Sequence, residues 1–158
     1  MIHIVSVADL KVSTKPGDLL VTYALGSCLG IAIYDPVINV GGMLHAMLPQ
    51  STIDPMKAQK NPSMFVDTGV PELFRRCYDV GAQRQRLIIK VAGGASIHGS
   101  DADDPFQIGK RNFIMFRKLL WKNGLLLRAF DVGGSISRTM SLDISLSLIH
   151  ISEPTRPY

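Results

Sequence analysis

Leu19-Leu20-Val21-Thr22-Tyr23-Ala24-Leu25-Gly26-Ser27-Cys28-Leu29-Gly30-Ile31-Ala32-Ile33-Tyr34-Asp35 is the stretch whose reading decides the fold. Its two apolar runs, 19–25 and 29–35, have strand length and strand composition, and both read as buried strands. Gly26-Ser27 breaks the run and delivers Cys28 at the head of the second strand. Upstream, Ile2 to Val7 reads as a first strand, separated from the stretch by the turn signal Lys15-Pro16-Gly17-Asp18. Downstream, Pro36-Val37-Ile38-Asn39 is a short connection to a fourth strand, Val40 to Leu48, which carries His45 and stops at Pro49.

The remainder alternates. Residues 50–63 are polar, contain Pro55 and Pro62, and read as a loop long enough to be functional. A helical pattern follows from Met64 to about Val80, with Phe65, Leu73, Phe74 and Cys77 inward, Pro71 kinking it or starting its second half, and Gly81 at its end. Leu87 to Ala92 is a buried strand ending at Gly93-Gly94-Ala95-Ser96. A polar loop containing a solvated His98 leads to an amphipathic helix over 108–123, a strand over 125–132, the turn Gly133-Gly134 and a strand over 139–144. Strand-rich at first and α/β later, the pattern predicts a single-domain layered α/β sandwich with mixed, largely antiparallel sheets.

Composition narrows the function classes. A chain of 158 residues with 46% apolar and 19% charged residues buries a proper core. The net charge of +4 is spread thinly, so a nucleic-acid footprint is not expected. No run approaches the ~20 apolar residues of a membrane span and no signal-peptide pattern opens the chain, which predicts a cytoplasmic protein without membrane insertion. Two cysteines make no disulfide framework. Together with four histidines they show no metal-ligand spacing, so no metal is expected. Gly93-Gly94-Ala95-Ser96 lacks a P-loop lysine and a full Gly-x-Gly-x-x-Gly pattern, which argues against a nucleotide cofactor.

Residues 146–158 fit no element of the preceding pattern. Leu146 to Arg156 back-translates, codon by codon, to a transposon-end sequencing adaptor. The tail is therefore read as non-native, a natural C-terminal strand being the rival reading, and the domain as residues 1–145.

The chemistry turns on Cys28 and His45. If 29–35 and 40–48 form an antiparallel hairpin turning near Val37 and Ile38, facing residues sum to about 75. That sets His45 opposite Gly30 and Cys28 opposite Met47. Cys28 and His45 then share a face as a diagonal pair roughly 7–8 Å apart, within side-chain reach. A one-residue slip would separate them. An imidazole beside a thiol can take its proton and leave a strong nucleophile, and N–H groups around Gly26 and Ser27 can face a developing oxyanion. A third residue normally orients such an imidazole, and Thr22 and Ser27 are both candidates. The alternative is a buried free cysteine beside an unrelated core histidine.

The run Thr22-x-x-Leu25-Gly26-Ser27-Cys28, then Asp35-Pro36 and His45-Ala46-Met47-Leu48-Pro49, resembles the chemoreceptor glutamine deamidase family, CheD. The resemblance continues through Lys90-Val91-x-Gly93-Gly94-Ala95, Ile108-Gly109-Lys110-Arg111-Asn112, Asp131-Val132-Gly133-Gly134 and Ser137-Arg138. It implies a protein-glutamine glutaminase that hydrolyses glutamine side chains of methyl-accepting chemotaxis receptors to glutamate and ammonia. By position, Cys28 would be the nucleophile, His45 the base and then acid, and Thr22 the residue orienting His45. Read from the residues, Gly93 and Gly94 form a tight turn near the site, and Lys110, Arg111 and Asn112 form either an exposed first helical turn or a contact with an acidic receptor or phosphatase surface; Gly93, Gly94, Arg111 and Asn112 are the candidate substrate or partner contacts. The resemblance also implies a CheC-type phosphatase as a partner. The alternative it leaves is a non-catalytic adaptor regulating such a phosphatase by binding. Gly69 and Pro71 depart from the smooth helix the family pattern would favour.

Overall fold

The chain switches sheets twice before it reaches the stretch quoted above. In the computed structural model, which describes residues 1–96, 104–146 and 148–153, β1 (Ile2–Ile4) lies in one sheet and β2 (Asp9–Ser13) in another. β3 (Leu19–Leu25) returns to the first sheet, while β4 (Leu29–Asp35) and β5 (Val40–Ala46) belong to the second. Then come α1 (Pro55–Lys60), α2 (Val66–Asp79), β6 (Ile88–Gly93), α3 (Ile108–Lys122), β7 (Ala129–Val132), β8 (Arg138–Asp143) and β9 (Leu148–Ser152).

Strand order is β1-β3-β8-β9 in one sheet and β2-β5-β4-β6-β7 in the other. Among the described strands, only β1/β3 and β6/β7 pair in parallel. The sheets are mixed and largely antiparallel, as the sequence predicts.

All seven residues of β4 and all seven of β5 are buried, because the central sheet is covered on both faces. Leu29, Ile31, Ile33, Leu44 and Ala46 face α2 and α3, packing with Leu73, Cys77, Phe116 and Leu120. Ala32, Tyr34 and Met43 face the other sheet, against Leu20, Leu25, Met140 and Leu142. The result is three layers: sheet, sheet, helices. Fully buried aliphatic side chains such as Ile31 and Ile33 stabilise it by about 1.5–3 kcal/mol each.

The β4/β5 hairpin pairs Gly30 with His45 and Asp35 with Val40, so facing residues do sum to 75. Wholly buried Asp35 ties the hairpin end to the following layer. It accepts from the Val37 and Gln83 N–H groups at 3.0 and 2.9 Å and from the Arg86 guanidinium at 2.8 Å. Burial alone would raise its pKa, but these donors and the Arg86 charge outweigh it and hold the carboxyl below its ordinary value.

Several expectations need correction. The strand read over 2–7 is only three residues long, and β2 was not anticipated, its Asp9-Leu10-Lys11-Val12-Ser13 being short and mixed in character. The strand read to Leu48 ends at Ala46. Met47 N–H turns away to donate to the Met64 carbonyl at 2.8 Å, and Leu48 bridges Phe65. The loop read over 50–63 contains α1, whose Asp54 cap accepts from the Lys57 N–H at 3.2 Å. α2 runs unbroken through Pro71, which sits early and exposed on it, and Gly69 lets the helix close against Leu44. Only Ala129–Val132 of the strand read over 125–132 pairs, because Leu125 and Leu127 turn toward the helical core.

Residues 148–152 of the expected tail form β9 on the edge of β8, with Ile149 buried. The reading of His98 and of its loop over 97–103 lies outside the described residues, as does the tail beyond 153. Among the described residues no helix is long and apolar enough to cross a membrane.

Candidate active site

Side chains on the inner face of β5 point into the seam between the two sheets, and there His45 meets Thr22 of β3. His45 Nδ1 lies 2.7 Å from Thr22 Oγ1, and both residues are wholly buried. The Thr22 hydroxyl has one proton, and it goes to the Val5 carbonyl at 2.7 Å. Thr22 therefore accepts from His45, which places the imidazole proton on Nδ1 and leaves Nε2 as a bare acceptor. Nε2 is buried and has no partner among the described residues. Burial also holds the His45 pKa below its ordinary 6.5, because the interior penalises imidazolium. His45 is thus a neutral base with a fixed tautomer.

Cys28 stands one residue before β4, is half-buried, and packs against the same inter-sheet cluster that His45 faces. Residue parity puts the two on one face, as the register arithmetic requires. Burial pushes the Cys28 thiol above 9.0, and its own backbone N–H draws it part of the way back. Burial thus disfavours the charged form of each residue, the thiolate at Cys28 and the imidazolium at His45.

The turn that presents Cys28 is held from behind at three consecutive carbonyls. Gly26 O accepts from Ala95 N at 2.9 Å, Ser27 O from Asn112 Nδ2 at 2.9 Å, and Cys28 O from Gly94 N at 2.9 Å. Gly93, at φ +106°, passes so close to the Cys28 carbonyl that a Cβ there would overlap its oxygen. Arg138, almost wholly buried, braces the same loop by donating to Gly133 O at 2.8 Å and Gly93 O at 3.4 Å. Gly93→Ala should therefore destabilise the fold by about 2 kcal/mol or more, through the positive φ and the clash together. Thermal unfolding checks this, and an unchanged melting temperature would contradict the packing described.

The residues read as contacts divide. Gly93 and Gly94 lie directly behind the turn that presents Cys28, and Gly94 also borders a cleft of about 440 Å³ with Lys110, Phe113 and Val132. Arg111 is exposed at the start of α3. Asn112 is wholly buried and donates to Ser27 O and, at 3.0 Å, to Met47 O. Arg138 and Val5 were not anticipated as parts of the site. Helical spacing was the signal for Asn112, since positions 112, 116 and 120 share the inward face of α3.

A thiol, a neutral imidazole and a hydroxyl that fixes its tautomer make up the donor set of a covalent hydrolase, carried here on a three-layer α/β sandwich. Residues 47–153 match the family model described as CheD chemotactic sensory transduction. The chain is 49% identical over 154 residues to "Probable chemoreceptor glutamine deamidase CheD 1" of Syntrophus aciditrophicus (strain SB), covering 98% of this chain and 95% of that protein. It is 51% identical over 150 residues to "Probable chemoreceptor glutamine deamidase CheD" of Solibacter usitatus (strain Ellin6076), at 95% and 88% coverage. A relative of the same printed name from Thermococcus kodakarensis is 37% identical over 147 residues, at 93% and 89% coverage. The chain belongs to the CheD family.

Proposed function

We propose that this protein is a cysteine-dependent glutamine deamidase acting on methyl-accepting chemotaxis receptors in chemotaxis adaptation. The observation that carries the reading is the Thr22–His45 bond, which commits the imidazole proton to Nδ1 and leaves Nε2 free as a base beside the Cys28 face.

In this reading Cys28 Sγ attacks the side-chain amide carbon of a receptor glutamine while His45 Nε2 takes the thiol proton. The tetrahedral intermediate collapses as Nε2–H gives that proton to the leaving nitrogen, and ammonia departs from a thioester. Water then attacks the thioester carbon, its proton passing to Nε2 and on to the departing sulfur. Glutamate and the free thiol result. Gly26 and Ser27 contribute main-chain support for the oxyanion. No metal or organic cofactor enters any step.

The test is mass spectrometry of a receptor co-expressed with this chain, where selected glutamines should gain about 1 Da as amide becomes acid. Unmodified receptor would overturn the reading. Both Cys28 and His45 are intact, which disfavours the adaptor alternative. Binding to a CheC-type phosphatase and residence in the cytoplasm, where the modified part of such a receptor would be met, rest on family resemblance. We also infer that residues 146–158 are non-native. The back-translation supports this, and period-two alternation over 148–152 suffices to lay any such segment along the β8 edge.

A further inference from the structure

Asn112 Nδ2 uses both of its hydrogens on the two segments that carry the chemistry. One goes to Ser27 O at 2.9 Å in the nucleophile turn, the other to Met47 O at 3.0 Å, two residues beyond His45. The Ser27 carbonyl belongs to the same peptide plane as the Cys28 N–H. In a trans peptide these two groups point in opposite directions, and the described backbone contains no cis bond. Pulling Ser27 O toward α3 therefore turns the Cys28 N–H away from α3.

We propose that Asn112 is the positioning residue of the oxyanion hole: by holding Ser27 O it aims the Cys28 N–H at the oxygen that becomes negative when the thiol attacks. This rests on Cys28 being the nucleophile. The neighbouring planes are fixed by main-chain donors, Ala95 N on Gly26 O and Gly94 N on Cys28 O. Asn112 is the side chain in this set, so a substitution can remove it alone. Its burial at 0% exposure at the start of the second turn of α3 gives the amide no access to solvent. An alanine there would leave both carbonyls without the donor and the peptide plane free to rock. The second hydrogen bond keeps the exit of the His45 strand at a fixed distance from the same plane, so nucleophile and base move as one unit.

The experiment compares two reactions of one thiol in Asn112→Ala. Deamidation of a receptor fragment passes through an oxyanion. Alkylation of Cys28 by iodoacetamide is a displacement at saturated carbon and does not. Loss of the donor should lower kcat on the order of 10²-fold. KM and the Cys28 alkylation rate should stay within about 3-fold of wild type. A kcat within about 3-fold of wild type overturns the proposal, and so does alkylation slowed in step with kcat, which marks a purely structural role. If Asn112→Ala loses its cooperative thermal transition, Asn112→Asp, of nearly equal volume but without the donors, carries the same comparison. Activity surviving in Cys28→Ala would instead remove the nucleophile on which the proposal rests, independently of any result at Asn112.

Discussion

Cys28→Ala is expected to lower ammonia release from a receptor fragment by ~10⁴-fold or more, to the level of the uncatalysed reaction, because alanine removes the thiol and leaves no nucleophile at position 28. The fold should survive. Cys28 is half-buried and loses a single sulfur, and the turn is held through main-chain carbonyls that alanine retains. The control is Cys77→Ala. Cys77 lies under α2, almost wholly buried, with its thiol pushed up to about 12 by burial, so it supplies no thiolate at neutral pH. That variant should keep full turnover and lose about 1–2 kcal/mol of stability through the cavity left beside Gly42. Turnover measured by ammonia release decides the matter: loss in Cys28→Ala with retention in Cys77→Ala supports the assignment, and the converse pattern refutes it.

The hairpin that joins these residues was legible because two uninterrupted apolar runs flank a short connection opened by Asp35-Pro36. Register then followed from counting. The parity of Cys28 and His45 came from the same count. Thr22 could be named from sequence only as a neighbour on the preceding strand or through family resemblance. It reaches His45 across the gap between two sheets, and no pairing rule on one chain segment specifies how sheets stack. β2 is hard to read from the sequence because its lysine and aspartate mask a short strand whose Leu10 and Val12 pack against the helical core. By polarity alone, Asn112 reads with Lys110 and Arg111 as either an exposed helical turn or a contact with an acidic partner surface. Its spacing of four and eight residues from Phe116 and Leu120 puts it on the buried face instead, a signal that polarity concealed. Pro71 and Gly69 suggested a broken helix. A proline in the second turn of α2 leaves only the Asp67 carbonyl without its helical partner, and the glycine serves the contact with Leu44.

His45→Ala should lower kcat by about 10³–10⁴-fold, the upper range for losing a group that acts in turn as base and acid. The pH profile of the unmutated protein tests the same role without a substitution. Burial places the His45 pKa below 6.5 and the Cys28 pKa above 9.0. Below the first value the imidazole carries a proton and cannot accept one from the thiol, so kcat/KM should fall only in distinctly acid solution. Above the second the thiol has already lost its proton. His45 then has none to pass to the leaving nitrogen, and the rate falls again. The expected profile is a broad plateau reaching past both ordinary values, unlike that of a thiolate–imidazolium pair, whose limits would shift the other way. Stability follows the acid limb. The unfolded chain binds a proton at His45 more readily than the folded one, so the contribution of the neutral buried ring is complete above 6.5 and is lost as pH falls through the lower folded value. Urea unfolding across that interval should show stability declining with acid in the parent protein and declining less in His45→Ala. A plateau narrower than the interval from 6.5 to 9.0 would mean that the two groups rest as an ion pair, and the neutral-pair mechanism would fail.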